Sequence, residues 1–309
     1  MNYQDTILEM LSRDRRLFIL TAENLGPIYR VQKLYPDQFL DVGISEQSLI
    51  GIATGLALRG RIPVVHALAC FLTARPYEFI KVNIGIRKLP IKLVGTLSGF
   101  ISGLNGPTHQ AIDDISLMHS IANMNIFCPA DEDDMCKGLD TIINSDEAWY
   151  VRYNDLSSRY EHDVFWPGNA EVIGEGRHIG IITYGSLFSE ALAAKAILES
   201  EGYSTQLVNM RTIRPLDEKT IIDVCSTCRL TVVLEDHLVH GGLYGKICEV
   251  LVRARLSTWL EYMCLSSWFS PGEIEVVLET KGFSSSKIAA KIKRIYESDV
   301  VVYGLSASE

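Results

Sequence analysis

Asp41-Val-Gly-Ile-Ser-Glu46-Gln-Ser-Leu-Ile-Gly-Ile-Ala-Thr-Gly-Leu-Ala-Leu-Arg-Gly60, followed at once by Arg-Ile-Pro63-Val-Val, decides how the first half of the chain is built. Leu49, Ile52, Ala53 and Leu56 recur at helical spacing, which predicts a helix from Ser45 to about Arg59. Gly60 suits the position just past a helix end, and Pro63-Val-Val opens a strand. Gly51 and Gly55 lie four apart, so that helix carries a smooth strip where another helix or backbone can approach closely.

Working outward, Leu17–Leu20 (LFIL) and Ile91–Gly95 (IKLVG) read as buried strands, Tyr77–Lys88 and Asp131–Ile143 as helices, and Trp149–Tyr153 as a closing strand. Residues 156–176 mix Pro, Gly and charge and read as a linker. Strand-like HIGIITYG and a helix over Ser186–Ser200 then begin a second alternating unit, continued by strands TQLVNM and LTVVLE and by helices over Asp217–Cys225 and Gly245–Arg255. Such alternation predicts an α/β protein of two domains, residues 1–155 and 177–309, each a mainly parallel sheet flanked by helices.

Composition narrows the function. The 309 residues hold 29 basic and 38 acidic side chains, a net charge of −9 with no Lys/Arg cluster, which argues against nucleic acid or an anionic membrane as partner. The N-terminus, MNYQDTILEMLSRDRR, is an acidic amphipathic helix pattern unlike a signal peptide, and no apolar run is long enough to span a membrane. Seven scattered cysteines, with a single Cys225-Ser-Thr-Cys228 and no second pair at zinc spacing, fit reduced thiols and a cytoplasmic location, with no metal site on this chain.

Three stretches stand in order: Asp41-Val-Gly-Ile-Ser-Glu46-Gln; Gly106-Pro-Thr-His109-Gln with Pro129-Ala-Asp-Glu behind it; and Val208-Asn-Met-Arg-Thr-Ile-Arg-Pro-Leu-Asp217 with Glu235-Asp-His and Gly241-Gly-Leu. Together they resemble the transketolase superfamily over nearly the whole chain: a thiamine-diphosphate pyrimidine-binding fold, then a Rossmann-like transketolase C-terminal domain. GPTHQ is closer to transketolase or deoxyxylulose-phosphate synthase than to the β subunits of 2-oxo-acid dehydrogenases. In that family a Gly-Asp-Gly motif and a distant Asn, on a preceding domain, bind the cofactor diphosphate and its metal. This chain has no Gly-Asp-Gly. The resemblance therefore implies a split enzyme: an N-terminal transketolase subunit carrying the diphosphate and Mg2+ or Ca2+, joined with this chain in an α2β2 heterotetramer.

The same resemblance assigns roles. Glu46 hydrogen-bonds a ring nitrogen of the aminopyrimidine and so starts proton removal from the thiazolium, work that suits a carboxyl among apolar neighbours such as Val42, Ile44, Leu49 and Ile50. Ile44, Phe71 and Tyr77 are expected to hold the ring, although Phe71 and Tyr77 could equally be core side chains, and Ala74 stands where the family usually has a second Phe. His109 is expected to move protons on donor and acceptor hydroxyls. Asn105 replaces an Asp that reads a substrate hydroxyl, and Arg152 resembles an arginine that grips the acceptor phosphate, with a salt bridge to Asp155 or Glu161 as the alternative. Leu97 and Gly26-Pro27 fall where two further phosphate contacts are expected. Glu235-Asp-His237 and His240-Gly-Gly242 are expected to be structural. The implied activity is transfer of a two-carbon ketol unit from a ketose to an aldehyde, with sugars or sugar derivatives as substrates. A deoxyxylulose-phosphate-synthase-like or acetoin-forming subunit, or a non-catalytic regulatory paralogue, are the alternatives; retention of both Glu46 and His109 speaks against the last.

Overall fold

The structure, a computed structural model, describes residues 2–304, so residues 305–309 of the expected second domain lie outside the described residues. Six strands come from the first half: β1 Leu17–Thr21, β2 Phe39–Asp41, β3 Ile62–Leu68, β4 Lys92–Thr96, β5 Met124–Phe127 and β6 Ala148–Arg152. Six follow: β7 Glu171–Ile173, β8 Ile179–Thr183, β9 Thr205–Asn209, β10 Thr212–Arg214, β11 Leu230–Leu238 and β12 Trp259–Leu265. They form a seven-stranded sheet in the order β10-β5-β6-β4-β3-β1-β2 and a five-stranded sheet in the order β12-β11-β8-β9-β7. Every pairing is parallel except β10 with β5 and β7 with β9.

The two-domain α/β expectation holds, and two details depart from it. β7 lies inside the stretch expected to be linker and pairs with β9, and β10, from the second half, crosses to extend the first sheet. The halves also share a core: one buried apolar cluster runs from Leu49 and Ile50 through Met118 and Tyr150 to Tyr184, Leu243 and Ile247. The linker is tied down as well. His162 sits between Asp131 (2.9 Å) and Glu171 (2.7 Å), and Arg211 is buried against Asp134.

The helix read from Ser45 to about Arg59 spans Glu46–Leu58, with Ser45 at the N-cap position but making no capping hydrogen bond. Leu49, Ile50 and Ala53 face the sheet, while Gly51, Ile52 and Gly55 are exposed. A Cβ at either glycine would meet nothing within 4 Å. Helices over Glu132–Asn144 and Glu218–Thr227 are capped by Asp131 and Asp217, whose carboxylates accept backbone N–H groups three residues on, which fixes where both helices begin. Tyr77–Lys88 is less regular: a short helix over Tyr77–Ile80 runs into a π-turn over Lys81–Ile86.

Candidate active site

A pocket of about 800 Å3 opens at the carboxyl ends of the first sheet's strands, where open parallel α/β sheets hold their ligands. Residues just past β1 (Asn24, Gly26, Pro27), past β2 (Ile44, Glu46), at and past the end of β3 (Leu68, Phe71, Arg75), at the end of β4 (Thr96, Leu97) and past β6 (Tyr153, Asp155) form its walls, with Ile101 and His109 closing one side. Backbone strain gathers here: Glu23 and Leu97, both on the pocket wall, sit at φ 53° and 55°. Non-glycine residues reach that region at a cost, and such positions concentrate at functional sites.

Glu46 begins its helix, so its carboxylate lies near the positive end of the helix dipole, and it is only 4% exposed. Arg75 Nη1 donates to Glu46 Oε1 at 2.8 Å, and the same guanidinium lies 3.7 Å above the centre of the Phe71 ring. Phe71 meets the His109 ring edge-on, with centroids 5.0 Å apart. Carboxylate, aromatic face and imidazole therefore converge on one cavity from positions 46, 71 and 109. Ile44, 70% exposed, adds an apolar wall. Beneath the floor, Tyr3 Oη and His66 Nε2 are 2.7 Å apart, and burial pushes His66 down to about 4, so it stays neutral.

Three expected site residues fall elsewhere. Tyr77 turns away: its hydroxyl meets Ser120 Oγ at 2.6 Å and its ring packs on the main core, so it does not line the pocket. Asn105 is exposed on the loop that carries His109, outside the pocket wall. Arg152 is the clearest correction. It is buried, with Nε donating to Asp114 at 2.9 Å and Nη1 to Asp236 at 2.6 Å, so its partners are neither a substrate phosphate nor Asp155 or Glu161. Side chains alternate faces along a strand, so Tyr153 reaches the pocket and Arg152 points into the contact between domains.

Arg75 was missed by the sequence reading. It lies four residues after Phe71, one helical turn on, which was the available signal. Leu97 and Gly26-Pro27 do line the pocket, as their placement suggested. Glu235-Asp236-His237 are all buried: Glu235 accepts the Leu243 and Tyr244 N–H groups at the start of the Leu243–Ala254 helix, Asp236 holds Arg152, and His237 Nε2 accepts the Ser116 N–H at 3.3 Å. Burial pushes the Cys225 and Cys228 thiols up to about 11, which leaves both inert. Among the described residues no group of His, Cys, Asp or Glu could hold a metal ion, and no helix is long and apolar enough to cross a membrane.

A paired α/β architecture with a strand-end pocket lined by a buried carboxylate, an aromatic face and an imidazole has the form of a small-molecule site. Residues 1–159 match the transketolase pyrimidine-binding domain and residues 168–288 the transketolase C-terminal domain. The chain belongs to the transketolase family. It is 30% identical to a 6-deoxy-6-sulfo-D-fructose transketolase subunit of Clostridium sp., over 81% of this chain and 79% of that protein. It is 33% identical to the 1-deoxy-D-xylulose-5-phosphate synthase of Dictyoglomus thermophilum over 94% of this chain, but spans only 48% of that protein. Among solved structures it resembles a split gene transketolase described as an inactive β4 tetramer, with TM-score 0.85 and 27% identity over 94% and 96% of the two chains.

Proposed function

We propose that this chain is the C-terminal subunit of a thiamine-diphosphate-dependent transketolase that transfers a two-carbon ketol unit from a ketose to an aldehyde. A partner subunit supplies the diphosphate and Mg2+ or Ca2+ site. The observation that carries the reading is the convergence of Glu46, Phe71 and His109 on one open cavity. Matches to a transketolase subunit and a split gene transketolase, each over most of both chains, support the division between two polypeptides.

The residues present fit the aminopyrimidine end of the cofactor. A flat heteroaromatic ring needs an aromatic face, an apolar wall and a carboxylate, and Phe71, Ile44 and Glu46 provide them on one surface. When bound, the cofactor supplies a thiazolium that acts as electron sink. Glu46 would hold or release the proton at a ring nitrogen, its carboxylate kept in place by the helix start and by Arg75. His109, half-buried beside Phe71, would exchange protons with substrate hydroxyls. The pocket is open on one side, which the partner would close.

The test is complementation. Alone, the chain is expected to bind thiamine diphosphate poorly and to show no ketol transfer; mixed with a subunit carrying Gly-Asp-Gly, it should regain both. Turnover by the single chain, free of contaminating partner, sinks the two-subunit reading. The 33% identity to deoxyxylulose-phosphate synthase over most of this chain supports a second reading, synthase-like chemistry, which product analysis of the same mixture separates.

A further inference from the structure

We infer that Gln110 is a positioning residue, through which the C-terminal domain holds His109 in the active site. The proposal rests on the reading of His109 as the proton-transfer group. Its footing is a set of contacts that bind the His109 loop to a segment 159 residues away in sequence.

Gln110 is 3% exposed, and both ends of its amide are used. Nε2 donates to the Phe269 carbonyl at 2.8 Å, and Oε1 accepts the Phe269 N–H at 3.0 Å. A side-chain amide paired reciprocally with one backbone unit mimics a strand contact and fixes both distance and orientation. The rest of the loop is fastened at two further points. Gly272 N–H donates to the Gly103 carbonyl at 3.1 Å, and Phe100 packs between Phe269 and Phe283 with centroids 5.4 and 5.0 Å away. The loop has no slack against this surface: a Cβ at Gly103 would stand 2.7 Å from the Gly272 carbonyl oxygen.

Among the described residues His109 is held only within its own loop and against Phe71: its N–H donates to the Gly106 carbonyl at 3.0 Å, its Nδ1 lies 2.9 Å from the neighbouring Thr108 hydroxyl, and its ring meets Phe71 edge-on. The backbone of His109 runs directly into Gln110, so the orientation of the imidazole over the pocket follows from where Gln110 is pinned. Cutting that tie releases the imidazole while leaving Glu46 and Phe71, on separate elements, where they are.

The test uses the full chain with histidine selectively labelled for NMR, and the same variants assayed with the complementary subunit. Gln110→Met keeps the length of the side chain and removes both hydrogen bonds; Gly103→Ala strains the same docking without touching Gln110. Both are expected to lose the cross-relaxation between His109 and Phe71 rings in the folded chain. In the complex, kcat for ketol transfer should fall roughly 10- to 100-fold, the scale of a small misplacement of a reacting group, with KM little changed. Cofactor proton exchange, the task read for Glu46, should stay within a few-fold of normal. A His109–Phe71 contact preserved in Gln110→Met overturns the proposal, as does an equal loss in proton exchange, which marks general destabilisation. If the contact is lost but the unaltered complex transfers no ketol unit, the catalytic reading of His109 fails while the positioning stands.

Discussion

At Glu46 one carboxylate makes an ion pair, starts a helix and faces a cavity. Because the group is nearly buried and opposes an aromatic face, its chemistry is separable from its packing by a change of one atom. Glu46→Gln keeps shape and volume but removes the exchangeable acid. Proton exchange at the cofactor's thiazolium carbon in the assembled enzyme is therefore expected to slow by about 10²-fold or more. Near-normal deuterium exchange in that variant would assign the task to another group. Arg75 limits how the variant is read: with the Glu46 charge gone, its guanidinium keeps only the Phe71 face, so thermal stability should be compared alongside the rate.

Two elements carry predictions of their own. On the Glu46–Leu58 helix, Gly51 and Gly55 are exposed one turn apart with open space above each, and Ile52 lies exposed beside them. Replacing either glycine by alanine should stabilise the isolated chain by roughly 0.5–1 kcal/mol, since glycine in a helix interior costs that much in backbone entropy. If the strip exists for close approach of a partner helix, Gly51→Ala and Gly55→Ala will weaken subunit association while raising the melting temperature. A rise in both would remove the strip from the interface.

The linker clasp is the second. Burial opposes the charge on His162, but hydrogen bonds to Asp131 and Glu171 prevail and raise its pKa to about 9. A group whose folded pKa lies above its unfolded value near 6.5 stabilises fully below about 6.5 and loses that contribution as pH rises through about 9. Asp131 and Glu171, held below the usual carboxylate range despite burial, contribute above their unfolded values and fail as pH falls through the folded ones. The melting-temperature gap between the unaltered chain and His162→Gln should thus be widest near pH 6 and shrink toward pH 9–10. A gap that is constant across that range contradicts the clasp.

On the scale of the whole molecule, the question is what the pocket selects. Its cation, Arg75, is committed to Glu46 and Phe71, and Arg152 is locked between two aspartates in the domain contact. Leu97, Gly26 and Pro27 occupy the wall where further anion contacts were expected, with Asp155 close by. A dianion there would meet apolar groups and a carboxylate, which leaves its oxygens poorly solvated. The assembled enzyme is therefore expected to accept unphosphorylated or otherwise modified aldehydes within 100-fold of ribose 5-phosphate or glyceraldehyde 3-phosphate. A preference for the phosphates above that ratio in kcat/KM, about 2.7 kcal/mol of selective binding, overturns the expectation.

Periodicity, caps and glycines determined the architecture without a structure. The run from Asp41 to Val65 encodes a strand end, a helix that buries Leu49 and Ala53 from the expected stripe but leaves Ile52 exposed, and the next strand, because spacing of 3.6 or 2 residues decides which side chains can share a core. The helices read from Asp131 and Asp217 do begin there, because each carboxylate caps its own first turn and capping is local chemistry. Glu46, Phe71 and His109 were singled out by the family resemblance of the motifs around them, and the structure brings all three to one pocket at the strand ends of the first sheet. What only the tertiary structure decided involves partners far apart in the chain. Arg152 read as a phosphate clamp because its type suits one; Asp114 and Asp236, 38 and 84 residues away, take up its charge instead. Tyr77 turned to Ser120, β10 left its own half for the first sheet, and Gln110 found Phe269. Local sequence fixes which groups can pair, but the burial of a charge or an amide forces a choice among distant candidates, and only the packed chain makes it.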